Sequence, residues 1–139
     1  MTESAAYRDR ADITEVLLRY ATGIDRRDWA TFRTAFTADC VLDYDEIGSF
    51  TGVEAVTEFM DQSHAMAGHT MHRLSNIVIA LDGDRASART YVDGLILGPD
   101  NASGVSAVGF YDDDLIRTDH GWRIARRVFT AVRITTVGG

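Results

Sequence analysis

The chain has 139 residues, with 14 basic residues that are all arginine, 21 acidic residues, four histidines, a formal net charge of −7 and a pI near 4.9. That length fits one domain with a real core, here residues 1–139, while the acidity makes nucleic acid and anionic membranes poor partners. Without lysine there is no Schiff-base chemistry, and the single cysteine, Cys40, cannot form an internal disulfide.

No apolar run approaches the ~18 residues of a membrane span, and the start MTESAAYRDRADITEV lacks a secretory leader, so a soluble, cytoplasmic protein is expected. The usual marks of phosphate, dinucleotide and zinc sites are missing, and no cofactor or metal is expected.

In chain order, Ile13, Val16, Leu17, Tyr20, Ala21 and Ile24 form the stripe of a helix with one face on a core, and Gly23 marks its end. Asp28 is placed to cap a short second helix bearing Trp29, Phe32 and Phe36. Cys40 to Tyr44 and Ile47 to Thr51 read as short strands. Thr51-Gly-Val-Glu54 then reads as a capping box for a third helix, whose inner face is Val56, Phe59 and Met60.

Beyond His69, four antiparallel strands are predicted: Thr70 to Leu81, Arg85 to Leu97, Val105 to Arg117 and Trp122 to Thr135. Asp82-Gly83-Asp84 and Asp119-His120-Gly121 supply tight turns, and Gly98 to Gly104 a longer loop. Helices followed by a meander predict an α+β domain with a ligand pocket between a curved sheet and the helices. On the strands, His72, Leu74 and Asn76 share one face, as do Tyr91, Asp93, Leu95 and Leu97. Ile77, Ile79 and Leu81 have the opposite parity from His72, which calls for a bulge or a doubly covered strand. The pocket is expected to draw on Leu42, Phe59, Met60, Asn76, Leu95 and Phe110.

The order of these elements, with Tyr20-x4-Asp25-Arg-Arg-Asp28-Trp29, Phe36-Thr-Ala-Asp39, the Gly52 helix, His72-x3-Asn76, Gly83-Asp84-x-Ala86, Tyr91 and Gly121-Trp122, resembles the SnoaL-like branch of the nuclear transport factor 2-like superfamily. The resemblance covers nearly the whole chain. It implies a cone-shaped, curved antiparallel sheet wrapped around the N-terminal helices, and usually a homodimer. Within the branch the chain looks most like the bile-acid dehydratase and hexachlorocyclohexane dehydrochlorinase group, with scytalone dehydratase more distant. These are enzymes that eliminate water or HCl without a cofactor.

The resemblance implies catalytic roles for Tyr20, Asp25, His72 and Asp93. The dehydrochlorinase has lysine at the position of Tyr20, so this chain departs from it there, in favour of a hydroxyl or carbonyl substrate. Residue chemistry supports the set: a carboxylate on one imidazole nitrogen makes the other a better base, a phenol can polarise a carbonyl, and a second carboxyl can protonate a leaving group. The structural alternatives are Arg26 or Arg27 neutralising Asp25, and a buried hydrogen bond for Asp93.

His64, His69 and His72 have no familiar metal spacing, and the helix-to-strand transition is expected to splay them. Asp112 to Asp114 read as a solvated strand end, and Arg126, Arg127 and Arg133 as surface or dimer charges. The resulting expectation is a lyase of the dehydratase type acting on a small apolar ring or polyketide- or steroid-like compound. The alternatives are a double-bond isomerase, or a non-catalytic ligand-binding or assembly domain such as an oxygenase small subunit.

Overall fold

The computed structural model describes residues 2–138. Helix α1 (Glu3–Asp25) opens on Thr2, whose hydroxyl accepts from the Ala5 backbone N–H at 3.1 Å. It does not stop at Gly23. It closes two residues later in a Schellman turn, in which Asp28 N–H reaches the Gly23 carbonyl and Arg27 N–H the Ile24 carbonyl, with Arg27 in the left-handed region at φ 55°. Gly23 serves packing instead: a Cβ there would lie 2.9 Å from the Phe32 backbone, so the glycine lets α1 touch α2 (Trp29–Arg33).

Asp28 caps α2 as expected, accepting from Thr31 N–H at 3.1 Å. Phe36 leaves that helix and opens β1 (Phe36–Asp43), because α2 is only five residues long. A 3-10 turn at Asp45–Ile47 leads to β2 (Ser49–Thr51). The expected Thr51 capping box does not form: Gly52, at φ 91°, is the N-cap of α3 (Val53–His64) and carries no side-chain cap.

The remaining strands are β3 (Thr70–Asp82), β4 (Arg85–Leu97), β5 (Gly104–Thr118) and β6 (Gly121–Val137). The sheet order is β2-β1-β6-β5-β4-β3, curved and unclosed. Every pairing is antiparallel except β1 with β6, which is parallel because the chain reaches β1 from the helices and returns to its flank only at the end. A bulge at Asn76, with φ 51°, shifts register between Ser75 and Val78. Thr70, His72 and Leu74 before it, and Ile77, Ile79 and Leu81 after it, are therefore the half-buried positions of the strand.

The core lies between α1 and the inner face of the sheet. At its far end Asp9, a buried residue of α1, takes both Nη atoms of Arg117 at 2.9 Å and the Trp122 indole at 3.2 Å, tying the start of the helix to the last hairpin. Among the described residues, no helix is long and apolar enough to cross a membrane.

Candidate active site

A cavity of about 330 Å³ opens between α1, α3 and the inner face of the sheet. Its walls are mostly apolar, including Ile24, Phe59, Met60, Val92, Ile96 and Phe129, and its polar groups are Tyr20, Tyr44, Tyr111, Ser63, His64 and His72.

Asp25, the last residue of α1, stands behind His72. Its Oδ1 accepts from His72 Nδ1 at 2.7 Å and from Thr70 Oγ1 at 2.9 Å, while Oδ2 accepts from the His72 backbone N–H at 2.8 Å. Burial works to raise its pKa, but the hydrogen bonds from His72 and Thr70 outweigh it and hold the carboxyl below the usual carboxylate value. Neither Arg26 nor Arg27 pairs with it. Arg27 instead braces the site, donating to Thr70 Oγ1 at 2.9 Å and to the carbonyls of Gly68 and Ile24 at 2.7 and 2.8 Å.

Since an ionised carboxylate only accepts, His72 Nδ1 carries a proton toward Asp25, and in the neutral ring Nε2 is then the lone pair. Nε2 has no hydrogen-bond partner among the described residues. Opposite His72 in the ladder is Gly94, whose missing side chain leaves room beside the imidazole.

Tyr20 is 1% exposed and hydrogen-bonds through its hydroxyl to that of Tyr44. Burial raises the pKa of both phenols, which stay protonated. One of the two hydroxyl protons is spent between them, and the Tyr111 phenol stands against both.

Behind them lies a charge that sequence reasoning put on the surface. Arg127 is 0% exposed, its guanidinium 4.1 Å from the Tyr20 ring centre and 3.9 Å from that of Tyr111, and it grips Asp113 through bonds of 2.7 and 2.8 Å. Asp113 is likewise buried, not a solvated strand end. Burial acts against the arginine's charge, but Asp113 and the tyrosines hold the proton in place. Alternation carried the signal: Asp113 shares parity with Tyr111 and Leu115, and Arg127 with Phe129.

The structure brings Tyr20, Asp25 and His72 together, but not Asp93. That carboxylate lies on the outer face of β4, 49% exposed, accepting from Arg73 at 2.8 Å. Gly94, its neighbour, faces the cavity instead. Of the expected pocket residues, Phe59 and Met60 line the wall. Leu42 is buried in the core, Asn76 is exposed at the bulge, Leu95 has the outer parity, and Phe110 lies outside under Arg89, whose guanidinium is 4.3 Å from its ring. Nor are His64 and His72 splayed apart. Their ring centres are 6.3 Å from each other, because both side chains reach into the same cavity.

A family model described as a SnoaL-like domain matches residues 5–128. The chain belongs to the SnoaL-like domain family. An uncharacterized protein of Mycobacterium tuberculosis is 32% identical over 132 residues, which are 94% of this chain and 90% of the relative. The SnoaL-like domain also superposes on a candidate scytalone dehydratase from Novosphingobium aromaticivorans, with TM-score 0.87, 23% identity, and coverage of 97% and 91% of the two chains. A type 2 hexachlorocyclohexane dehydrochlorinase gives TM-score 0.90, 17% identity, and coverage of 99% and 95%. At these identities the two structures establish the fold, which is nuclear transport factor 2-like, with dehydratase and dehydrochlorinase among its neighbours.

Proposed function

We propose that this SnoaL-like domain is a cofactor-free lyase that eliminates water from a small, largely apolar ring or polyketide- or steroid-like compound carrying a carbonyl near a hydroxyl. The observation that carries the reading is the 2.7 Å contact from His72 Nδ1 to Asp25, which leaves an unpaired Nε2 on the wall of an apolar cavity. His72 Nε2 takes the proton next to the carbonyl, and Asp25 holds the imidazole in the basic tautomer and balances the imidazolium. An O–H of the Tyr20–Tyr44–Tyr111 cluster donates to the carbonyl oxygen, where enolate charge collects. The C–O bond then breaks, its electron pair stays on oxygen, and the His72 proton completes the departing water. No role falls to Asp93.

The molecule is further read as a cytoplasmic homodimer; its free cysteine, buried Cys40, fits a reducing compartment. The test is a screen of β-hydroxy ketones for elimination and of the matching ketones for exchange of the activated proton. His72→Ala is expected to lower both about 10²- to 10⁴-fold. Unchanged turnover in that variant removes His72 from the chemistry. A double-bond isomerase would give the same exchange but return the proton to a different carbon, and a binding domain would give neither reaction.

A further inference from the structure

His64 closes α3 one turn after Met60, and the Met60 carbonyl lies 2.8 Å from its Nδ1. A carbonyl only accepts, so Nδ1 bears the proton and the neutral ring turns an unprotonated Nε2 elsewhere. Ser63, the nearest hydroxyl, lies 3.1 Å from both that carbonyl and Nδ1, and so is engaged at the same nitrogen rather than at Nε2. Burial lowers the His64 pKa despite the Met60 bond, and the Arg27 charge adds to the effect, which keeps the ring neutral.

The cavity thus contains two imidazoles in the same tautomer, each with Nδ1 satisfied by the protein and Nε2 without a partner among the described residues. With centres 6.3 Å apart the rings cannot share a direct N–H···N bond, but one oxygen atom can stand between them. The Trp29 ring, 6.4 Å away, packs beside His64. An apolar ligand that fills this space leaves the His64 lone pair unsatisfied unless it brings a donor of its own.

We propose that His64 is a further catalytic residue, whose Nε2 accepts the O–H of the substrate's leaving hydroxyl and so turns that oxygen's lone pair toward His72. This rests on the elimination reading above. His72 takes the C–H proton, and the C–H electrons become the enolate and then the new double bond. The C–O bond breaks with its electrons on oxygen, and that oxygen takes the proton back from His72 Nε2 to leave as water. His64 begins and ends neutral. The substrate class narrows to β-hydroxy carbonyl compounds with a free hydroxyl; ethers and halides of the same shape bring no donor to His64.

The experiment uses 3-hydroxy-1-tetralone and 1-tetralone, which differ only in that hydroxyl, and measures their binding, the release of 1-naphthol from the first, and deuterium exchange at C2 of the second. The wild type is expected to bind the hydroxy compound about tenfold more tightly. His64→Phe should erase that preference and cut naphthol release about 10- to 100-fold. His64→Gln, which can offer an amide oxygen in the same direction, should recover part of the preference and serves as the control for folding. A preference for the hydroxyl that is absent in the wild type, or equal in wild type and both folded variants, overturns the proposal. A preference lost in His64→Phe but unaccompanied by exchange or elimination in the wild type upholds His64 as the hydroxyl acceptor and overturns the lyase reading instead.

Discussion

Asp25 ends a helix whose unsatisfied carbonyls already make that terminus negative, so its charge depends on the donors that β3 brings to it. Asp25→Asn keeps the shape but can offer its amide N–H to Nδ1, which favours the tautomer with the proton on Nε2. Proton exchange from a bound ketone should fall about 100-fold in a variant that keeps its circular dichroism. The same hydrogen bonds have a pH signature. Because the folded carboxyl titrates below the ordinary unfolded value of about 3.9, its contribution is complete above that value and is lost as pH falls through the folded pKa. The stability gap between wild type and Asp25→Asn should therefore shrink below about pH 4 in urea titrations. The buried pair behind the tyrosines is a separate liability. Asp113→Ala strands the Arg127 guanidinium among aromatic rings and should cost about 3–5 kcal/mol in the same assay, whereas replacing both residues by apolar ones of similar volume should cost much less.

At the scale of elements, the close approach of α1 and α2 hangs on Gly23. Gly23→Ala would drive a methyl into the Phe32 backbone and should cost about 1–3 kcal/mol, read as a lower melting temperature, while Gly83→Asn, in a turn with open space, should be nearly neutral. Turn residues and apolar alternation made the four long strands legible in the sequence, because Gly83 and Gly121 sit where the backbone needs positive φ. Strand facing was harder to read. On β4 both faces carry apolar groups: Tyr91 and Leu95 point outward, while the inner positions are mostly smaller, Ala86, Ala88, Thr90, Val92 and Gly94, with Ile96 at the cavity wall. The inner face is crowded by helices and keeps small residues, so side-chain bulk misdirects an assignment that equates large with buried, and Asp93 went with the wrong set. Arg127 escaped notice for a related reason. A register shift between Ile124 and Arg126 changes the parity of β6, and an arginine in a core is unexpected until its carboxylate and two aromatic rings are seen around it. Asp25 and His72 were legible as a pair through the family resemblance and the chemistry of a carboxylate beside an imidazole, and the contact between them forms where α1 ends and β3 begins.

The whole molecule leaves Tyr91 and Val108 exposed on the outer sheet face. Sedimentation should report twice the 15.3 kDa of one chain, and Val108→Asp should shift it toward one; a monomeric wild type would refute the homodimer. A sheet that never closes also has two margins, and any stretch of them left unpaired is a template on which stray chains could add strands, although on β3 helix α1 already takes the His72 N–H through Asp25 and the Ile79 carbonyl through Arg10. One margin, β2, is only three residues long. The other, β3, has thirteen, and there the left-handed Asn76 interrupts the row of backbone donors and acceptors. The bulge that carries the inward side chains across two registers of β3 thus also protects solubility: deleting Asn76 would give the protein a straight, adhesive border, and aggregation on standing would be the outcome to watch for.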